Sequence, residues 1–126
     1  METKLKVNQF VKESDEWKRT LTFLSQENSF LKLRLSDILN GKESSADFVE
    51  AAELYQSHFI QKDEIIKLLL HDVSKMDDLL TREIYEDGML IKEVVFRQIH
   101  LRKQVRFVET EFNKLKLQFN NYLSEL

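Results

Sequence analysis

Apolar residues recur at alternating intervals of three and four along almost the whole chain, in three segments. Of these 31 seam positions, 27 are apolar or aromatic, and a heptad kept over four or more repeats is typical of helices packed as coiled coils. The pattern therefore predicts three long helices. The seam positions are Val7, Phe10, Ser14, Trp17, Leu21, Leu24, Asn28, Leu31, Leu35 and Ile38; Phe48, Ala52, Tyr55, Phe59, Lys62, Ile66, Leu69, Val73, Met76 and Leu80; and Ile91, Val94, Gln98, Leu101, Val105, Val108, Phe112, Leu115, Phe119, Tyr122 and Leu126.

The chain's two glycines mark where these helices are expected to end. Asn40-Gly41 and Asp87-Gly88 are both dipeptides that can close a helix, because glycine tolerates the left-handed conformation. Ser44, followed by Asp47 three residues later, resembles a capping box that starts a second helix. The short second junction favours antiparallel neighbours. We therefore predict one all-α domain over residues 1–126, an antiparallel three-helix bundle of coiled-coil type running up-down-up, with helices near 3–40, 45–86 and 89–125.

Composition removes several classes of protein. The chain has no proline, which argues against a loop-rich or all-β fold, and no cysteine, which excludes disulfides and thiolate chemistry. No run of apolar residues is long enough for a membrane span. The opening residues lack the apolar stretch of a signal peptide, so the expected location is the cytoplasm. Neither a catalytic constellation nor a phosphate-binding loop is present, so we expect no enzyme activity and no cofactor or metal.

Charge is distributed unevenly between the three segments. Residues 1–40 carry a net charge of +1, residues 41–88 carry −7, and residues 89–126 carry +3. We therefore expect the acidic middle helix to pair with a basic third helix across their shared seam. The specific expectation is that four bases of the third helix face three acids of the second, namely Arg97, Arg102, Lys103 and Arg106 opposite Asp72, Asp77 and Asp78.

Two of the four polar seam residues are candidates for fixing the register of the helices. An Asn or Lys in a coiled-coil seam can specify register or oligomeric state at a cost in stability, which makes Asn28 and Lys62 candidate specificity residues. The alternative is that Asn28 only bonds a neighbouring polar group and that Lys62 extends its ammonium group to water.

Apolar residues also occur off the main seam. Five of them point away from it, and contiguous exposed apolar residues usually mark contacts with other proteins. The alternative is that they widen the core, since a three-helix bundle buries a broader face than a strict coiled coil. These candidate interface residues are Phe23, Phe30, Leu33, Phe96 and Ile99.

These features favour a non-enzymatic structural or adaptor protein that associates with itself, as a homodimer or higher oligomer, or with another helical protein. A domain-swapped dimer opened at Gly88 would keep the same heptad contacts. The alternative function is nucleic-acid association through Arg97, Arg102, Lys103 and Arg106. We favour it less because the chain is net acidic and carries no nucleic-acid-binding motif. A bundle that binds a small molecule or a metal is a third class.

Overall fold

A computed structural model describes the backbone of residues 2–41, 46–82, 85–86 and 89–126, and the side chains of 6–41, 46–82 and 91–126. Three long helices account for nearly all of these residues. They are α1 (Glu2–Gly41), α2 (Ala46–Thr81) and α3 (Lys92–Ser124). Two short strands, β1 (Tyr85–Glu86) and β2 (Met89–Leu90), lie between α2 and α3. None of the helices in the described ranges is long and apolar enough to cross a bilayer.

Contacts between the helices give their directions. Lys18 pairs with Asp77 and Lys32 with Asp63, so residue numbers fall along α2 as they rise along α1, and these two helices are antiparallel. Between α1 and α3 the numbers rise together, because Glu13 pairs with Arg102 and Glu27 pairs with Lys116. All three helices pack against one another. The predicted up-down-up, all-α three-helix bundle is confirmed.

The core follows the predicted seam closely. Phe59, Phe112 and Phe119 are fully buried, and an edge-to-face contact joins the rings of Phe59 and Phe119 at 5.1 Å between centroids. Tyr55 packs on the same cluster, with its ring 5.2 Å from that of Phe119. Burial of such rings stabilises the bundle through their large apolar area, and edge-to-face geometry adds to this. The aromatic cluster joins α2 to α3 near the end of the bundle where α3 terminates.

The connection between α2 and α3 differs from the prediction. Helix α2 ends at Thr81 rather than near 86, and α3 begins at Lys92 rather than near 89. Between them, Tyr85 pairs with Leu90 and Glu86 with Met89 in an antiparallel hairpin. An Asp-Gly pair is favoured in two-residue hairpin loops as well as at helix ends, so the dipeptide was consistent with either structure. Asp87 and Gly88 themselves, like the predicted cap at Ser44, lie outside the described residues.

Candidate functional site

The five predicted interface residues all lie on the outside of the bundle. Phe30 is 64% exposed and Phe96 is 70% exposed, and Phe23, Leu33 and Ile99 are exposed as well. They are therefore not part of a widened core, which was the alternative. Large apolar side chains in water are unfavourable, and a group of them on one surface usually marks a contact.

These five residues do not form a single stripe. Glu27 of α1 lies beside Lys116 of α3, so Phe23 lies level with Phe112. Ile99 and Phe96 precede Phe112 by 13 and 16 residues, which places them roughly 20 Å or more away along the axis. The predicted surface is therefore divided into two separate patches. The heptad pattern gives the direction in which a side chain points from its helix, but it does not give the position of that residue along the bundle axis relative to residues of another helix.

Each patch borders an open groove. Phe96 lines a groove of about 300 Å³ between α2 and α3, together with Asp72 and Lys75 of α2. Its ring is parallel to that of His100, with 6.5 Å between centroids. Phe30 lines a groove of about 400 Å³ between α1 and α3, beside Lys116. Both grooves are shallow and partly apolar, and can accept a side chain from a partner.

Further apolar residues are exposed that the sequence analysis did not assign to an interface. The signal for them was the same as for Phe23 and Phe30, namely an apolar residue at a heptad position away from the seam. The exposed residues of this kind are Leu54, Ile60, Ile65, Leu68, Phe107 and Leu117.

Asn28, one of the two predicted specificity residues, forms hydrogen bonds to α2, which both the register-fixing role and its alternative require. Its side chain is fully buried, and its Nδ2 donates to the carbonyl oxygen of Phe59 at 2.8 Å and to Oδ1 of Asp63 at 2.7 Å. The other oxygen of Asp63 accepts a hydrogen bond from Lys32, one turn after Asn28 on α1. An amide and a base four residues apart on α1 thus hold one carboxylate of α2. We call this arrangement an amide–base clasp.

A second amide–base clasp joins α3 to α1. Gln98, also fully buried, donates from Nε2 to the carbonyl oxygen of Phe10 at 3.2 Å and to Oε1 of Glu13 at 3.1 Å. Arg102, four residues after Gln98, binds both oxygens of Glu13 at 2.7 and 2.8 Å. A paired guanidinium and carboxylate form a strong, directional contact. In the sequence, Gln98 is a polar residue at a seam position, and nothing in the pattern predicts that it binds Glu13.

The electrostatics of the second clasp favour the charged forms of both partners. Burial raises the pKa of Glu13, but the hydrogen bonds from Arg102 and Gln98 and the charges of Arg102 and Arg106 outweigh it, so the pKa lies below its ordinary value. The hydrogen bond to Glu13 raises the pKa of Arg102 despite partial burial. The clasp is therefore an ion pair at neutral pH.

Lys62, the other predicted specificity residue, has no comparable contacts. It is half-buried, and within the described ranges no ion pair or hydrogen bond of its side chain is found. Its flexible stem can cover apolar surface while the ammonium group reaches water.

The predicted facing of α2 acids and α3 bases is correct for Asp72 and Arg97, which line the same groove, and wrong for Asp77 and Arg102, which each pair with α1. Asp77 bonds Lys18 of α1, Arg102 bonds Glu13 of α1, and Arg97 bonds Glu93 of its own helix at 2.7 Å. No ion pair between described residues joins α2 to α3. The reason is that the side of α2 carrying Asp63 and Asp77 faces α1. Lys103 and Arg106, the other two predicted bases, are exposed.

The described residues contain no group of three or more histidines and acids close enough to hold a metal ion. Comparison with models of known protein families, with curated proteins and with solved structures finds no match for this chain.

Proposed function

We propose that this chain is a non-enzymatic structural or adaptor protein that acts through helix-mediated association, with a second copy of itself or with another helical protein. The observation that carries the proposal is the exposure of large apolar side chains on a bundle whose seam is already filled, with Phe30 and Phe96 as its clearest members. A cytoplasmic location is part of the proposal and follows from the sequence expectation alone.

The grooves beside these side chains suit a helical partner. Each runs between two long helices, and an amphipathic helix binds such a groove with anchors spaced three and four residues apart. The lining combines apolar surface with charged residues at the edge, such as Lys116 beside Phe30 and Asp72 beside Phe96. Interfaces commonly have this composition, with an apolar centre and a polar rim.

Nucleic-acid association has less support. Two of its four predicted residues, Arg97 and Arg102, are held by carboxylates, so only Lys103 and Arg106 of that set stay available for phosphates. Binding to the phosphate backbone depends on several cations acting together and weakens steeply with salt. Two isolated bases on a net acidic chain supply little of that attraction.

Site-specific photocrosslinking in cells tests the proposal. A photoreactive amino acid is placed at Phe23, Phe30 or Phe96 of the full chain, one position at a time. We expect discrete adducts whose second component is another copy of this chain or an identified helical protein that binds it again when purified. The reason is that an apolar contact holds the probe against the partner during irradiation.

Asp15 and Ser74 provide the controls, because both are exposed and neither has an exposed apolar residue three or four positions away on its helix. The probe at these two positions should give few adducts. The proposal is wrong if the phenylalanine positions crosslink no more than these two positions and the purified chain stays monomeric.

A further inference from the structure

The outer surface shared by α2 and α3 carries apolar residues from both helices. We call it the α2–α3 face, and its apolar members are Leu54, Ile65, Leu68, Phe96 and Phe107. Tyr55 and Phe59 both contact Phe119, and the helices are antiparallel, so Leu68 lies level with Phe107. These two side chains are 60% and 65% exposed, and together they form an apolar centre halfway along the bundle.

The two helices of this face carry opposite charges. Helix α2 has eight acidic and three basic residues, a net charge of −5, whereas α3 has three acidic and seven basic residues, a net charge of +4. No ion pair of the described residues joins α2 to α3. Part of the charge is paired with α1 instead and does not contribute to the α2–α3 face, namely that of Asp63 and Asp77 of α2 and of Arg102 and Lys116 of α3. Glu64 and Asp78 are exposed on α2, and Lys103 and Lys114 are exposed on α3, where Lys114 also forms a long, exposed ion pair of 3.4 Å with Glu111 of its own helix.

We propose that two copies of the chain associate through their α2–α3 faces, about a two-fold axis parallel to the bundle, so that α2 of each copy lies on α3 of the other. This inference rests on the proposed function and names its partner. The symmetry makes the interface isologous, with every contact made twice. Leu68 then meets Phe107 of the second copy, and Glu64 lies within reach of Lys114 of the second copy.

Charge selects this orientation over the other two-fold arrangement. An axis perpendicular to the bundle would place α3 on α3 and α2 on α2, which sets two acidic α2 helices against each other. Like charges in an interface disfavour the wrong pairing, whereas opposite ones favour the correct one. The proposed axis instead sets the exposed acids of α2, such as Glu64, against exposed bases of α3, such as Lys103 and Lys114, on both sides.

The other two outer faces suit a second copy less well. The α1–α2 face is polar along α1, where Asp15, Thr22 and Ser29 are exposed. The α1–α3 face carries Phe23 and Phe30 but joins two helices that are both net positive, +1 for α1 and +4 for α3. Among the described residues, the α2–α3 face carries exposed apolar residues on both of its helices, and these helices differ most in net charge.

Light scattering across about a hundredfold range of concentration tests the dimer, because mass action shifts association with concentration. We expect a mass of about twice 15.1 kDa at the upper end. Phe107→Ser should raise the dissociation constant by about tenfold or more. Phe23→Ser, which removes an equally large ring from the α1–α3 face, should change it by less than about threefold.

Charge reversal then tests the orientation. Glu64→Lys and Lys114→Glu should each weaken the dimer by about fivefold or more, and the double variant should return the dissociation constant to near its original value. Circular dichroism and thermal unfolding of each variant confirm that the bundle is intact. Failure of the double variant to recover affinity would contradict the proposed orientation.

Other outcomes separate this inference from the proposed function. A mass of 15.1 kDa at every concentration overturns the dimer, while crosslinks from Phe23, Phe30 or Phe96 to a different helical protein still uphold the function. A dimer that Phe23→Ser disrupts and Phe107→Ser does not also overturns this inference and leaves the function standing. A monomer without such crosslinks overturns both.

Discussion

Glu13 accepts hydrogen bonds from two side chains of α3, and both donors bind it best when it is ionised. The surroundings of this carboxylate favour its charged form and lower its pKa. A group with a lowered pKa in the folded state binds its proton less readily there than in the unfolded chain. The contact therefore links the attachment of α3 to pH at the scale of a single residue.

Glu13→Gln should lower the free energy of unfolding by about 1 to 2 kcal/mol at pH 7, because the amide cannot replace the charge-assisted bonds to Arg102. The pKa of Glu13 is below its ordinary value of 4.5, so its contribution is fully present above pH 4.5 and is lost as the pH falls through the folded-state value. Urea unfolding of both proteins at pH 7 and pH 3 should show the difference shrinking at the lower pH.

Glu16→Gln is the control for this measurement, because Glu16 is exposed on the same helix. Glu16→Gln should change the free energy of unfolding by no more than about 0.5 kcal/mol at either pH. A loss of stability in Glu13→Gln that is the same at pH 7 and pH 3 would mean that ionisation of Glu13 does not contribute to the clasp.

At the scale of the helices, the buried amides of Asn28 and Gln98 restrict how the helices are aligned, whereas the apolar seam residues hold them together. Apolar contacts tolerate small shifts of one helix along another, whereas a hydrogen bond from Asn28 to the carbonyl of Phe59 is made at one register only. Asn28 bonds α1 to α2, and Gln98 bonds α3 to α1. Both clasps include α1, so α1 is the reference for the other two helices.

Asn28→Ala should destabilise the protein by about 1 to 3 kcal/mol, because it removes both hydrogen bonds and leaves a small cavity. Lys62→Ala is the matched comparison at another polar seam position. It should cost less than about 1 kcal/mol, since only contacts of its aliphatic stem are lost. Chemical unfolding of the two variants gives both values, and a larger cost for Lys62→Ala would show that Lys62 is the more important specificity residue.

The sequence predicted the helices and the core well, since burial along a helix requires the heptad spacing that the apolar residues show. It predicted Asn28 for the same reason. Gln98 was missed as a clasp residue because its carboxylate, Glu13, is 85 residues away in the chain, and only the packed register brings them together. The pairing of β1 with β2 was missed because an Asp-Gly dipeptide suits both a helix end and a short loop.

At the scale of the whole molecule, the bundle is a rod whose length is set by α1. Forty residues in α1 span about 60 Å at about 1.5 Å per residue. A dimer with its axis parallel to the rod keeps that length and doubles the cross-section. A swapped dimer opened between α2 and α3 would instead be much longer, because α3 would extend beyond the end of α2.

Small-angle X-ray scattering should therefore give a maximum dimension of roughly 60 to 70 Å for the dimer as well as for the monomer. The radius of gyration of the cross-section should rise when the mass doubles. A maximum dimension near 100 Å or more at dimer mass would point to exchange of α3 between chains instead of the side-by-side arrangement.

The two amide–base clasps also determine how this chain can diverge in evolution. Residues of the apolar seam can exchange for one another wherever volume is kept, so each can change alone. The members of a clasp cannot, because losing Glu13 leaves the partly buried charge of Arg102 without its partner and removes one of the two hydrogen bonds of the buried Gln98 amide. Related chains should therefore replace Gln98, Arg102 and Glu13 together, and Asn28, Lys32 and Asp63 together. Such covarying triplets would identify relatives of this protein even after the rest of the sequence has lost all similarity.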